Sequence, residues 1–216
     1  MLALYGHHFS SYTWKALIAL YANETPFEFR SVDPDQPENA ARIAAVGPLG
    51  KFPVLEDGDT LIFESTSIIE YLERHHPGPQ SLIPHDADAA IGVRMLDRVF
   101  DNYVMNVMQI VVNEYIRDGQ NPDQARCAEA REQLARVYRW LEGWLEYYPL
   151  RDHVTLIECA AAPSLFYADW VHPIADEFPR LQRWRAHLLA LPPVQRCVDD
   201  ARPYRSYFPL GAPDRD

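Results

Sequence analysis

The chain has 216 residues, and 48% of them are hydrophobic, enough for a substantial core in one large domain or two small ones. Its formal net charge of −11 argues against the basic surface of nucleic-acid binders, so we expect no nucleic-acid partner. No apolar run approaches the ~20 residues of a membrane span, and we recognise no secretory signal, so we expect no membrane partner. Three cysteines without paired spacing indicate a reducing, cytoplasmic setting.

The first 78 residues alternate between strand and helix patterns. Alternating or wholly apolar runs predict strands, and apolar residues three to four apart predict helices. Asp57-Gly58 predicts a tight hairpin turn, because this pair readily adopts the positive φ that the turn needs. The predicted elements in order are a strand at 2–5, a helix at 12–22, a strand at 27–32, a helix at 40–46, a hairpin at 53–63 and a helix from Ser65, its N-cap. This order indicates a parallel crossover unit followed by an antiparallel hairpin.

Beyond this region we find only helical patterns. We predict an α/β domain at 1–78, a linker at 79–86 and an all-helical domain at 87–216. The predicted helices are one at 87–117, one from an Asn121-Pro122 cap to about Tyr147, one from a Thr155–Glu158 capping box, one from Phe178-Pro179 and a short one after Pro192-Pro193. Trp140 and Trp144, four residues apart, are expected in the core.

The stretch from Gly47 to Leu72 predicts a receptor for a small peptide. Pro53 has no N–H and opens a strand, so Phe52 keeps a backbone N–H and C=O with which an extended peptide can pair. The following helix start suits a carboxylate, and Glu64 suits an ammonium group. Together these groups would bind an α-amino-acid end. We expect a cis Phe52-Pro53 bond, since the carbonyl must face the ligand.

The run Lys51-Phe52-Pro53-Val54-Leu55, followed by Glu64-Ser65, resembles the glutathione-binding core of the cytosolic glutathione transferases. The resemblance extends over most of the chain. It implies an α/β thioredoxin-like N-terminal domain followed by an all-α C-terminal domain, a homodimer, and glutathione as the co-substrate of a small electrophile. The glutathione-binding residues that it implies are Lys51, Phe52, Pro53, Glu64 and Ser65. None of the histidine spacings is typical of a metal site, so we expect no metal.

The first loop supplies the catalytic candidates. The run Ser10-Ser11-x-x-Trp14-Lys15 is similar to that of the zeta-type transferases and isomerases, with Tyr12 where that class has cysteine. The resemblance implies Ser10 as the hydroxyl that binds the thiol, with Ser11 second. A free thiol has a pKa of about 8.5, and a hydroxyl that donates to sulfur stabilises the reactive thiolate. One such hydrogen bond contributes about 1.5–3 kcal/mol, equivalent to one to two pKa units. The alternative is that Ser10 only caps the helix.

The resemblance therefore implies a glutathione transferase. Two alternatives stay open: a glutathione-dependent isomerase of the maleylacetoacetate type, and a non-catalytic glutathione-binding or interaction module. The first 126 residues contain no cysteine, which argues against a cysteine nucleophile in the α/β domain. One face of the helix at 87–117 borders the second-substrate cleft, borders the dimer interface, or is solvated; its polar residues are Asn102, Asn106, Gln109 and Asn113.

Overall fold

The computed structural model describes residues 1–216 and begins with a four-stranded mixed sheet. The strands are β1 (Leu2–Gly6), β2 (Glu28–Ser31), β3 (Val54–Asp57) and β4 (Thr60–Phe63), in the order β2-β1-β3-β4. β1 is parallel to β2 and antiparallel to β3, and β3 is antiparallel to β4 across the predicted turn. The helices of this domain are α1 (Ser11–Ala22), α2 (Pro37–Ala44) and α3 (Ser65–His75). The predicted α/β thioredoxin-like domain is confirmed.

The rest of the chain is helical, as predicted. The predicted helix at 87–117 is continuous, because α4 (Ala87–Val99) runs through a π-helical segment (Phe100–Met105) into α5 (Asn106–Arg117). The other helices are α6 (Gln124–Trp144), α7 (Leu156–Val171), α8 (Pro179–Ala190), α9 (Pro192–Ala201) and a terminal 3₁₀ helix (Arg202–Tyr207). None of them combines the length and the apolar character that a membrane crossing requires. The exact domain boundaries stay a prediction.

One hydrophobic core runs through both domains. α7 is buried along its whole length, and α1 packs against α3, α7 and α9, so nine of its twelve residues are buried. The ring of Trp14 on α1 lies 4.9 Å from that of Phe166 and 5.5 Å from that of Tyr167, both on α7. This packing places the loop that precedes α1 at the interface between the domains.

Three predicted helix starts were wrong. α2, expected at 40–46, begins at Pro37, because proline occupies its first turn. Ser65 is the first residue of α3 rather than its cap, because Glu64 alone links β4 to α3 and turns the chain with a φ of +67°. α6 is capped by Asp123, whose side chain accepts a hydrogen bond from the N–H of Arg126 at 3.0 Å. Asn121 lies outside the helix because its N–H donates to the Asp118 side chain at 3.2 Å. The predicted capping box of Thr155 and Glu158 at the start of α7 is confirmed.

Candidate functional site

A cavity of about 620 Å³ lies between the two domains. One wall is the loop before β3, residues 47–53, together with the junction of β4 and α3. The opposite wall is the long helix of α4, the π-helical segment and α5. Tyr12 of α1 also lines the cavity. The helix residues that line it are Arg98, Asp101, Asn102, Asn106, Gln109 and Asn113.

The structure brings all five predicted binding residues to one side of this cavity: Lys51, Phe52, Pro53, Glu64 and Ser65. The Phe52-Pro53 bond is cis, as predicted. The N–H and C=O of Phe52 have no backbone partner within the chain, so both are available to a ligand. The first turn of α3, which begins at Ser65, leaves N–H groups without intrahelical acceptors. This side of the cavity can therefore pair with an extended peptide and hold a carboxylate.

Ser10 is the N-cap of α1, and its Oγ accepts a hydrogen bond from the N–H of Thr13 at 3.3 Å. The cap and the predicted catalytic role are compatible, because a hydroxyl that accepts through a lone pair keeps its own proton to donate. Neither Ser10 nor Ser11 is among the residues that line the cavity, and Ser11 is only 8% exposed. The role of either serine in catalysis stays a prediction.

Both domains hold the loop that carries Ser10. The indole N–H of Trp14 donates to the carbonyl of His8 at 2.5 Å, and the hydroxyl of Tyr167 donates to the carbonyl of Phe9 at 2.9 Å. The Phe9 ring also packs edge to face on the Tyr167 ring, with the centroids 5.4 Å apart. Because α1 and α7 both bind this loop, the position of the Ser10 hydroxyl depends on how the two domains pack.

Tyr12 is a site residue that the sequence analysis did not select. Its hydroxyl donates to Oδ1 of Asn106 at 3.0 Å, which joins α1 to α5 across the cavity. Burial, together with the nearby Asp101 carboxylate, raises the pKa of Tyr12 well above its usual value. The phenol therefore stays protonated at neutral pH. Its position two residues after Ser10 at the start of a helix was the available signal.

A buried ion pair lies behind the cavity, and the sequence patterns did not predict it. The Lys15 ammonium lies 2.5 Å from the Asp97 carboxylate and 2.8 Å from that of Asp101, and it donates to the Thr66 hydroxyl at 2.9 Å. Arg98 pairs with both carboxylates from the cavity side. Burial raises the pKa of the Asp101 carboxyl, and the Lys15 ammonium opposes that rise. These contacts join α1, α3, α4 and the π-helical segment at the back of the site.

The polar face predicted on the long helix lies entirely in the cavity. Of the three interpretations left open by the sequence, the structure therefore favours the cleft. The Asn106 amide donates to Oδ1 of Asn102 at 3.4 Å, and the Gln109 amide donates to Oδ1 of Asn113 at 2.9 Å. The four side chains form a carboxamide wall that faces the Phe52 side.

Comparison with known families matches both parts of the chain. The model of the glutathione S-transferase N-terminal domain matches residues 4–80, and that of the glutathione S-transferase C-terminal domain matches residues 101–192. Together the two models cover more than half of the chain, including the candidate binding residues and all four residues of the carboxamide wall.

Individual proteins are similar over almost their full length. Glutathione S-transferase F6 of Arabidopsis thaliana is 28% identical over 91% of this chain and 99% of its own. A probable maleylacetoacetate isomerase of Vibrio cholerae is 26% identical over 94% of this chain and 97% of its own. The crystal structure of maleylacetoacetate isomerase from Anaeromyxobacter dehalogenans, with glutathione bound in its active site, is 28% identical, with a TM-score of 0.72 over 100% of this chain and 98% of that one.

Proposed function

Since this chain belongs to the glutathione S-transferase family, it transfers glutathione to an electrophilic carbon, and we propose that the Ser10 hydroxyl stabilises the glutathione thiolate in that reaction. One observation supports the proposal. All five predicted binding residues lie on one side of the cavity, and the N–H and C=O of Phe52 on that side have no backbone partner. A peptide thiol bound along that side would lie close to the start of α1, to which Ser10 belongs.

In this proposal glutathione lies extended along Phe52, whose N–H and C=O pair with the peptide backbone of the ligand. The Glu64 carboxylate binds the ammonium of the γ-glutamyl end, and the first turn of α3 at Ser65 binds its carboxylate. Lys51, an exposed loop residue on the same side of the cavity, binds the glycine carboxylate. Each charge of the tripeptide then has a partner of opposite sign.

The thiolate is stabilised by donors at the start of α1. Ser10 uses a lone pair for the helix cap and has its proton free for sulfur. The positive end of the α1 dipole adds to the effect. Tyr12, protonated and in the cavity wall, is the second hydroxyl to test. The serine is a donor rather than a base, because the thiol proton leaves for solvent.

A glutathione-dependent isomerisation is the second candidate function. It is favoured by the similarity to the A. dehalogenans maleylacetoacetate isomerase, which extends over the whole of this chain. In that reaction the thiolate adds to a double bond and leaves again after rotation, so it needs the same thiolate site. Product analysis separates the two functions, since the transferase yields a glutathione adduct and the isomerase returns free glutathione.

We also place the protein in the cytoplasm. Cys127, Cys159 and Cys197 are all buried and unpaired, as expected in a reducing compartment.

Burial raises the thiol pKa of Cys159 and of Cys197 well above the usual value, so these two side chains supply no thiolate near neutral pH.

Glutathione is expected to raise the melting temperature. A ligand at 100 times its dissociation constant stabilises the folded state by about 2.7 kcal/mol. For a chain of this size that corresponds to a shift of roughly 5–10 °C. Differential scanning fluorimetry with glutathione up to ~10 mM measures it. Cysteinylglycine, which lacks the γ-glutamyl end, should shift the melting temperature far less.

The matched variants for this measurement are Glu64→Gln in the cavity and Glu129→Gln on the exposed surface of α6. Only Glu64→Gln should reduce the glutathione shift, because it removes the partner of the ligand's ammonium. Equal shifts in both variants would contradict the assigned orientation. The absence of any shift in the parent protein would contradict glutathione binding itself.

We propose that the protein is a two-fold dimer through the outer face of α4, the π-helical segment and α6. Ile91, Met95, Tyr103 and Trp140 are exposed there by 64%, 56%, 58% and 48%. The expectation of a core position was therefore wrong for Trp140, which stacks on Trp144 but faces solvent in the single chain. Contiguous exposed apolar side chains on a folded protein mark interaction surfaces.

Light scattering at micromolar concentration is expected to give a mass of about twice that of one 24.9 kDa chain. Trp140→Glu should shift the population to monomers, because it places a charge in the apolar face. Tyr147→Glu is the matched control, since Tyr147 is 84% exposed and lies beyond the end of α6. A parent protein with the mass of one chain would refute the dimer.

A further inference from the structure

His7, the residue that follows β1, is enclosed between the two domains. Its side chain is only 12% exposed. The rings of Tyr204 and Tyr207, both on the terminal 3₁₀ helix, pack against its imidazole with centroids 4.6 Å and 6.0 Å away. Because the ring is held on this side, its nitrogens have fixed directions, and their contacts influence the path of the loop that leads to Ser10.

The imidazole of His7 binds the backbone two residues further along the chain. Its Nδ1 accepts a hydrogen bond from the N–H of Phe9 at 3.0 Å, and its carbonyl accepts one from the N–H of Ser10 at 2.9 Å. The carbonyls of this loop are held by α1 and α7, whereas the N–H of Phe9 has no partner other than His7. His7 therefore fixes the two N–H groups that precede α1.

A second route links His7 to the Ser10 hydroxyl. The N–H of His7 donates to Oγ1 of Thr13 at 3.4 Å, and the N–H of Thr13 donates to Oγ of Ser10 at 3.3 Å. These bonds join the end of β1 to the first turn of α1, so a shift of His7 moves the Ser10 hydroxyl. A displacement of about 1 Å in a catalytic group can lower a rate by about 100-fold.

Asp33 determines which nitrogen of His7 carries the proton. β1 and β2 are parallel, with Gly6 opposite Ser31, so the residues that follow the two strands meet at one edge of the sheet. Nε2 of His7 lies 2.9 Å from Oδ1 of Asp33. A neutral imidazole has one N–H and one acceptor nitrogen. Since the carboxylate keeps the proton on Nε2, Nδ1 remains the acceptor that the N–H of Phe9 requires.

We propose that His7 is a positioning residue for glutathione transfer, and that its Nδ1 holds the N–H of Phe9 and thereby fixes the Ser10 hydroxyl in its place against the thiolate. The inference rests on the proposed role of Ser10. His7 is not among the residues that line the cavity, so it acts through Ser10 rather than on sulfur. Its effect belongs in kcat and in the pKa of the bound thiol, and not in glutathione affinity.

Two variants that differ by one methylene group isolate the Nδ1 contact. An asparagine side chain hydrogen-bonds readily to the backbone two residues further on, so His7→Asn keeps an acceptor for the N–H of Phe9. His7→Gln carries the same amide on a longer side chain, which does not fit that turn. Both variants lose the ring that packs against Tyr204 and Tyr207, so the loss of packing is common to them.

His7→Gln is expected to lower kcat near neutral pH by about 3- to 10-fold and to raise the pKa of the bound thiol by up to about one unit. The KM for glutathione should be unchanged, because Phe52, Glu64 and Ser65 are intact. His7→Asn should retain most of the parent activity. His85→Gln, at an exposed histidine between the domains, is the control and should change neither quantity. Equal losses in His7→Asn and His7→Gln would overturn the inference, because a merely structural role of the ring affects both alike.

A double variant shows whether His7 acts through Ser10. In the Ser10→Ala protein, His7→Gln should cause no further loss of turnover, since the hydroxyl that it positions is already absent. A further loss as large as that in the parent would overturn the inference, because the effects of independent residues add.

The outcomes also separate this inference from the proposed function. If Ser10→Ala lowers turnover and raises the thiol pKa while the two His7 variants behave alike, this inference alone fails. If Ser10→Ala changes neither quantity, the proposed serine mechanism fails and this inference fails with it. A loss that is confined to His7→Gln and disappears in the Ser10→Ala protein supports both.

Discussion

Ser10→Ala is expected to lower turnover near neutral pH by about 10- to 100-fold, the effect of one charge-assisted hydrogen bond to the thiolate. Glutathione affinity should be nearly unchanged, because the proposed peptide contacts are at Phe52, Glu64 and Ser65. The pKa of the bound thiol should rise by about one to two units, so activity recovers partly as the pH is raised. The thiolate absorbance at the ultraviolet edge, titrated in parent and variant, measures this pKa.

Four further variants separate the effect of the hydroxyl from that of the helix cap. Ser10→Thr keeps both and should retain activity. Asp123→Ala removes the cap of α6, which lies outside the cavity. Like the loss of the α1 cap in Ser10→Ala, it should lower stability by ~0.5–2 kcal/mol, but it should not change the thiol pKa. Ser11→Ala should have a small effect. A larger pKa shift in Ser11→Ala or Tyr12→Phe than in Ser10→Ala would transfer the donor role to that hydroxyl.

Lys15→Met is expected to destabilise the protein by about 3–5 kcal/mol, because it removes the buried cation of Asp97 and Asp101 and leaves them only the half-exposed Arg98 guanidinium. Lys15 is 1% exposed, and its ammonium contacts Asp97 at 2.5 Å and Asp101 at 2.8 Å. Denaturant unfolding of the two proteins at pH 7 measures the difference. Lys51→Met removes an exposed lysine and should change stability by no more than ~0.5 kcal/mol.

The pH dependence tests the cause of that loss. Burial already raises the pKa of the Asp101 carboxyl, and the loss of the Lys15 ammonium would raise it further. A carboxyl whose pKa is higher in the folded than in the unfolded state stabilises the fold below the unfolded value, and this contribution disappears as the pH rises through the folded value. The stability difference between parent and Lys15→Met should therefore shrink from pH 7 toward pH 4. A difference below ~1 kcal/mol at pH 7 would contradict the assigned role of the ion pair.

That the five candidate binding residues lie close together was predictable, because they are close in sequence. Lys51, Phe52 and Pro53 precede a hairpin whose return strand ends one residue before Glu64, so local chain geometry alone brings 51–53 near 64–65. The starts of α3 and α6 were predicted wrongly, because they depend on one backbone angle and one side-chain contact. The positive φ of Glu64 and the Asp118 contact with Asn121 are details that propensity does not encode.

The arrangement of the candidate hydroxyl donors was only partly predictable. The sequence pointed to hydroxyl groups in front of a helix, which is correct for Ser10 as the cap of α1. It could not show that, of the hydroxyl residues at the start of α1, Tyr12 is the one that lines the cavity, because that depends on the orientation of α1 against α5. Nor could it show that Tyr167, far along the chain, holds the carbonyl of Phe9.

By itself the sequence determined the local units: the crossover, the hairpin, the cis proline loop and the succession of helices, because periodicity and turn chemistry act over a few residues. The tertiary structure decided what those units form together. It paired Lys15 with Asp101, 86 positions apart, and it inserted a π-helical segment that places Asp101 and Asn102 at the cavity. It also placed the polar face of the long helix in the wall of the cavity. Each of these depends on the packing of one domain against the other, and no local pattern carries that information.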